Sequence, residues 1–364
     1  MLSRLKIPPE GAALLGLTRT SLSATLSPLE SVPSSLNWNL LMRMARHHRL
    51  EPLLCYGLRR SHVDGVPSSV REVWEACRLS TAVGAMYHQQ VLGEIAAAFD
   101  AHRVPFVLLK GEALSKGLYP QEGLRPYGDI DLLIRPETYD AAKDILAGLG
   151  FWLRLPAKEG EKLRLFGEIE FDKKGPFTVT VDLHWDTLMT SWEPRSLFSG
   201  DEAWGSLDQI SLGTRALPVL RGELLLLYLS VHFAFHHVFD GLLWLCDLFL
   251  LLRRDEDRID WDRLVAMADR CQCRHALYYS LLFVKALMAG EVPFGILDRL
   301  RPSATIRAFM PTGQLLFRDS LVPQMLERYV KFLLIDTQQG RWRAFEAWLQ
   351  SSKRFSGRQS SDPH

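Results

Sequence analysis

The stretch Val104–Pro136, VPFVLLKGEALSKGLYPQEGLRPYGDIDLLIRP, decides the fold. It reads as a buried strand over Phe106–Leu109, a turn at Lys110 and Gly111, a short helix, a loop punctuated by Pro and Gly, and a second strand carrying Asp129 and Asp131. Strand side chains alternate between faces, so Asp129 and Asp131 share one face while Ile130, Leu132 and Ile134 take the other. Two carboxylates crowded together repel, and a bound cation relieves both. A hard ion such as Mg²⁺, which takes oxygen ligands and is often shared with a substrate phosphate, suits the pair. A third carboxylate comes from Asp182 in TVTVDLHW, residues 178–185, where Val179, Val181 and Leu183 alternate with Thr180, Asp182 and His184. Three in-phase aspartates on two strands outline a two-metal phosphoryl-transfer site. The plainer alternative for Asp129 and Asp131 is a solvated pair at a strand end.

At these residues the chain resembles the nucleotidyltransferase superfamily, of polymerase-beta-like fold, whose members move a nucleoside monophosphate from a nucleoside triphosphate to an acceptor. It looks most like a bacterial group of largely uncharacterised nucleotidyltransferases associated with peptide-tailoring and exopolysaccharide loci. The resemblance is carried by Lys110-Gly111, Arg125-Pro126, Gly128-Asp129-Ile130-Asp131-Leu132-Leu133-Ile134, Val181-Asp182-Leu183-His184-Trp185 and a helix around His232 to Asp247, and covers about residues 85 to 290. It implies an enzyme with Mg²⁺ or Mn²⁺ as cofactor, Asp129, Asp131 and Asp182 as catalytic metal ligands, and ATP or another nucleoside triphosphate as donor. The acceptor would be a hydroxyl or phosphate on a small molecule or peptide. One departure stands out: Gly111 is followed by Glu112, where the superfamily has Gly-Gly or Gly-Ser, so a phosphate-contacting hydroxyl is missing. Two alternatives remain open on that account. One is a non-catalytic protein of this fold that binds a nucleotide, phosphopeptide or sugar phosphate; the other is a peptide-tailoring enzyme that transfers phosphate or sugar.

Around the carboxylates, Lys110 is a cation beside a backbone turn, and Gly111 lets N–H groups at the helix start approach a phosphate. Arg125 has two readings, a bidentate phosphate contact or a salt bridge to a carboxylate such as Glu122. His184 shares the face of Asp182, either touching substrate or serving as a hydrogen-bonded core histidine. His232, His236 and Asp240 recur at i, i+4 and i+8 as one polar stripe on an otherwise apolar helix. A zinc site is one use of such a stripe; the resemblance implies instead that it faces the cleft and contacts nucleotide or acceptor, and structural hydrogen bonding is the third use.

The 364 residues carry a net charge of +1, with 47% hydrophobic and 23% charged residues, an ordinary folded composition that offers no electrostatic footprint for nucleic acid. Five scattered cysteines, Cys55, Cys77, Cys246, Cys271 and Cys273, fit reduced thiols in a cytoplasm. The longest apolar stretch, Glu223–Leu252, is interrupted by His232, His236, His237, Asp240 and Asp247, so it reads as buried core helix rather than a membrane span.

The expected architecture is α+β: a small mixed-sheet core flanked by N-terminal and C-terminal helical modules. Residues 1–36 read as a partly irregular segment with a short helix near Pro9 to Leu17. Residues 37–103 form a helical module, with helices broken near Pro52 and a long helix capped by Ser68 or Ser69. Residues 104–218 form the catalytic core, its strands including Phe151–Leu155 and a hairpin of Glu168–Asp172 with Phe177–Trp185. The signal fades to irregular connections around Asp186–Pro218. Residues 219–350 form a helical domain, and 351–364 a disordered tail.

Overall fold

A computed structural model of the chain describes residues 7–22, 29–61, 63–154, 167–185, 197–198, 202–205 and 207–346. The expected tail at 351–364 and the end of the strand at Leu155 lie outside these residues.

Four helices open the chain. Helix α1 spans Pro9–Leu22, α2 Trp38–His47, α3 Glu51–Arg60 and α4 Ser68–Ala101. Asn37 caps α2 by accepting the Leu40 N–H at 3.0 Å, which satisfies a donor that the helix cannot pair internally. Pro52 does not break the segment. It sits in the first turn of α3, where its missing N–H is no loss, and the chain turns instead at His48–Leu50. There the Leu50 N–H reaches Ala45 O at 2.9 Å and the Arg49 N–H reaches Arg46 O at 3.0 Å, with Arg49 left-handed at φ 58°. These are the bonds of a Schellman helix end. At the start of α4, Pro67 occupies the cap position and Ser68 is already helical, so neither serine caps it.

The strands are β1 Phe106–Leu108, β2 Asp129–Ile134, β3 Trp152–Leu153, β4 Glu168–Lys173, β5 Val179–His184, β6 Leu207–Leu212 and β7 Arg215–Leu220. They form one seven-stranded mixed sheet ordered β3-β4-β5-β2-β1-β7-β6. Strands β2 and β5 run parallel, as do β1 and β7, and the remaining neighbours are antiparallel. The β6–β7 hairpin corrects the expectation of irregular connections there. Its edge strand β6 is polar and largely exposed, and Pro218 interrupts the alternation of β7, so the segment lacks a clean period-two pattern.

Alternation assigns the two faces of the sheet. Phe106, Leu108, Ile130, Leu132, Ile134, Val181 and Leu183 pack against α4 and against α6, Tyr139–Gly148, through Ile95, Phe99, Ala142 and Leu146. The opposite face, with Val107, Leu109 and Leu133, joins the core of the C-terminal helices. The helix between β1 and β2 is α5, Glu112–Leu118. The carboxylates of β2 and β5 therefore look toward the C-terminal helices.

Those helices include α7 Gly222–Val231, α8 Leu242–Arg254, α9 Trp261–Cys271 and α10 Arg274–Leu287, with further helices following to Leu334. The apolar stretch is not one helix through His232–Asp247. After α7 it passes through a π-helical turn at His232–His236, then through Val238 at φ 50°, Phe239 at φ 61° and Gly241 at φ 124°, before α8 begins. Burial of Phe239 offsets the backbone strain: its ring is fully enclosed and packs edge-on against Phe233 and Phe283, centroids 5.2 and 5.1 Å away. No helix among the described residues is long and apolar enough to cross a membrane.

Candidate active site

The parallel register of β2 and β5 sets Asp131 directly opposite Asp182, and Asp129 opposite Thr180. Asp131 is completely buried at the sheet centre, and Asp182 is half-buried. Lys110, at the end of β1, places Nζ 2.7 Å from Asp131 Oδ1 and 3.1 Å from His232 Nε2. His184 bridges two acids, with Nε2 3.2 Å from Asp131 Oδ1 and Nδ1 3.3 Å from Glu168 Oε2 on the neighbouring strand β4. Asp131 Oδ2 and Asp182 Oδ1 are buried without any hydrogen-bond partner. Buried polar atoms are nearly always paired, so two orphaned carboxylate oxygens on residues directly opposite in the register are unusual. The ligand atoms of Asp131, Asp182 and His184 all lie within 4.8 Å of one another. That donor set fits a hard divalent cation, which would satisfy both orphaned oxygens at once.

Electrostatics separate the two aspartates. Burial opposes ionisation of Asp131, but Lys110 and His184 outweigh it and hold the carboxyl below its usual range. At Asp182 the charges of His184 and Lys110 are outweighed: burial, then the charge of Asp131, push it up to about 8. Burial lowers the pKa of His184, yet the hydrogen bond to Asp131 and the charge of Glu168 outweigh it and raise the value. His232 is driven well down, first by burial and then by Lys110, and stays neutral as the acceptor of the Lys110 ammonium.

A pH dependence follows. A carboxyl whose folded pKa exceeds its unfolded value holds its proton longer in the folded state, so its contribution is full below about pH 4 and is lost as pH rises toward 8. With divalent ions chelated, stability should fall across that window by at most about 1.4 kcal/mol per pH unit, less to the extent that water screens the half-buried group. Urea unfolding at several pH values checks this, and Asp182→Asn should flatten the slope.

The other residues singled out by sequence fall into place differently. Asp129 shares the face but stands outside the cluster of Asp131, Asp182 and His184. Gly111 has φ 56° and ψ −112°, open to glycine alone, and a Cβ there would lie 3.2 Å from the Asp129 carbonyl oxygen. Glu112, where the missing hydroxyl was expected, is turned into the protein: Oε1 accepts from Gln89 at 2.9 Å, and the Tyr127 hydroxyl donates to Oε2. Arg125 forms a salt bridge to a carboxylate, with Asp247 rather than Glu122 as the partner. Its guanidinium is 1% exposed and makes two 2.8 Å bonds to Asp247 on α8. The polar stripe is also divided. His232 meets Lys110, His236 stacks on the His232 ring at 4.9 Å, and Asp240 turns to the N-terminal helices, with Oδ1 2.7 Å from His47 Nε2. The break at Val238–Gly241 puts Asp240 out of phase with the histidines.

Glu168 was missed by sequence reasoning, although it stands opposite His184 in the hairpin register. Trp244, whose ring stacks with His237 at 4.2 Å and lies 5.3 Å from the Arg125 guanidinium, falls in the His232–Asp247 stretch that carries the resemblance, but nothing local marks its partners. The site is thus a buried carboxylate pair on a mixed sheet, with a lysine after the preceding strand and a helical lobe over the same face. Residues 34–289 match a protein family described as uncharacterised nucleotidyltransferase. The chain belongs to that family. The match runs from α2 through the sheet to α10, and the family is one of enzymes that transfer nucleotidyl groups. No curated protein matches the chain.

Proposed function

We propose that this nucleotidyltransferase is metal-dependent and moves a nucleoside monophosphate from a nucleoside triphosphate to a hydroxyl or phosphate on a small molecule or peptide. The observation that carries the reading is the pairing of Asp131 with Asp182 across parallel strands, each with a buried, unpartnered oxygen. Asp131 and Asp182 would hold Mg²⁺ or Mn²⁺, with His184 or Asp129 beside them. Such an ion supplies charge neutralisation for the donor phosphates. Lys110 is the cation nearest the pair and supports the charge that builds on the phosphates. Asp182, more accessible than Asp131, would take the acceptor proton once a bound cation has displaced its own. The acceptor oxygen forms a bond to the α-phosphorus, the bond from that phosphorus to the bridging oxygen breaks, and pyrophosphate leaves. The near-zero net charge favours a small acceptor over a nucleic acid end.

Calorimetry with each of the four common nucleoside triphosphates and Mg²⁺ tests this. Binding of at least one of them should require the ion and should weaken on the order of 100-fold in Asp182→Asn. Binding that ignores both the metal and the aspartate would sink the reading. A product heavier by one nucleoside monophosphate separates transfer from capture, and from addition of phosphate or sugar.

A further inference from the structure

The positive charges around the site are unequally engaged. Lys110 is committed to Asp131 and Arg125 to Asp247. Arg49 is different: it is exposed, and among the described residues its guanidinium makes no hydrogen bond or ion pair. The end of α2 brings it beside the site, 6.0 Å from the centroid of the Trp244 ring that also carries Arg125. Although solvent reaches it, Arg49 is recessed enough for desolvation, followed by the charge of Arg125, to lower its pKa, while Asp129 and Asp247 act in the opposite direction. An arginine recessed beside another arginine is costly unless an anion joins them.

The backbone adds a second observation. Arg49 occupies the left-handed position of the Schellman end, at φ 58°, where glycine is the favoured residue and a side chain costs strain. Arg103 and Gln272 stand left-handed at other helix ends, so strain alone does not select Arg49. Its selection rests on what surrounds it: an unengaged guanidinium, an aromatic platform, and the electrostatic reach of the acidic strand end at Asp129.

Resting on the transferase reading above, we infer that Arg49 contacts the triphosphate of the bound nucleotide, so that the N-terminal helices supply a donor-binding residue to the sheet. The planar guanidinium offers paired N–H donors to phosphate oxygens, a geometry that lysine does not reproduce. This gives the site the free phosphate arginine that Arg125, locked to Asp247, does not provide.

The test compares wild type, Arg49→Gly and Arg49→Lys by calorimetry with each nucleoside triphosphate and its monophosphate in Mg²⁺, alongside thermal unfolding. Arg49→Gly should weaken triphosphate binding on the order of 10- to 100-fold. Monophosphate affinity should hold, and the melting temperature should be unchanged or higher, because glycine relieves the left-handed strain. Arg49→Lys should recover part of the loss. If wild type binds a triphosphate and Arg49→Gly binds it equally well, or loses both nucleotides in proportion, the inference about Arg49 is overturned while the transferase reading survives. If wild type binds no triphosphate, the transferase reading itself fails and takes this inference with it.

Discussion

Asp182→Asn should reduce pyrophosphate release from the bound triphosphate by about three orders of magnitude or more, a barrier increase of roughly 4 kcal/mol. The same change should raise the melting temperature near pH 7, by an amount that shrinks toward about pH 4. Both outcomes have one origin: a carboxyl with its pKa pushed up to about 8 is mostly protonated in the resting protein, so a neutral amide of the same shape changes little in the fold while removing the cost of holding that proton against an ionised unfolded chain. Asp131→Asn should behave otherwise. That carboxylate is the buried counter-ion of Lys110 and a hydrogen-bond partner of His184, and its loss strands an ammonium away from water. Removing one partner of a buried pair costs about 3–5 kcal/mol, so Asp131→Asn should lose both activity and stability. Equal destabilisation by the two substitutions would contradict the asymmetry seen across the β2–β5 pair.

The second large effect belongs to Arg125, and it concerns stability. Its guanidinium and the Asp247 carboxylate are each 1% exposed, joined by two bonds of 2.8 Å, with the Tyr119 hydroxyl donating to Asp247 Oδ1 at 2.8 Å. Burial alone would lower the pKa of Arg125, but Asp247 outweighs it and raises the value. Arg125→Ala leaves Asp247 charged, buried and answered only by a phenol, and should cost about 3–5 kcal/mol in chemical denaturation. Replacing both members with apolar groups, Arg125→Met with Asp247→Leu, should recover most of that loss, because a buried ion pair stabilises little over a well-packed apolar pair. A single substitution costing under about 1 kcal/mol would mean that water reaches Asp247 readily.

The carboxylate pair was legible because it depends on local periodicity. Alternation in GDIDLLI and in TVTVDLHW fixed which side chains share a face, and the parallel register then brought Asp131 and Asp182 together. What sequence could not show were partners distant along the chain. Arg125 and Asp247 are 122 residues apart, and nothing local distinguishes an arginine that will meet a buried carboxylate from one that will meet a phosphate. The break after His236 was hidden for a different reason. Val238 and Phe239 are residues that rarely turn left-handed, so the chain gives no warning there beyond Gly241. The β6–β7 hairpin escaped because an exposed edge strand need not alternate.

Lys110 gives the site a tethered cation of its own. With its ammonium against Asp131, and with His184 set between Asp131 and Glu168, the carboxylates are answered by groups that belong to the polypeptide. Proteins that fold only around a metal lack such internal substitutes. On the proposed metal-dependent reading, an incoming divalent cation would compete with a resident side chain, and its affinity would be the difference between two ways of neutralising the same acid. Occupancy would then rise most when the cation brings phosphate oxygens for the released lysine to engage.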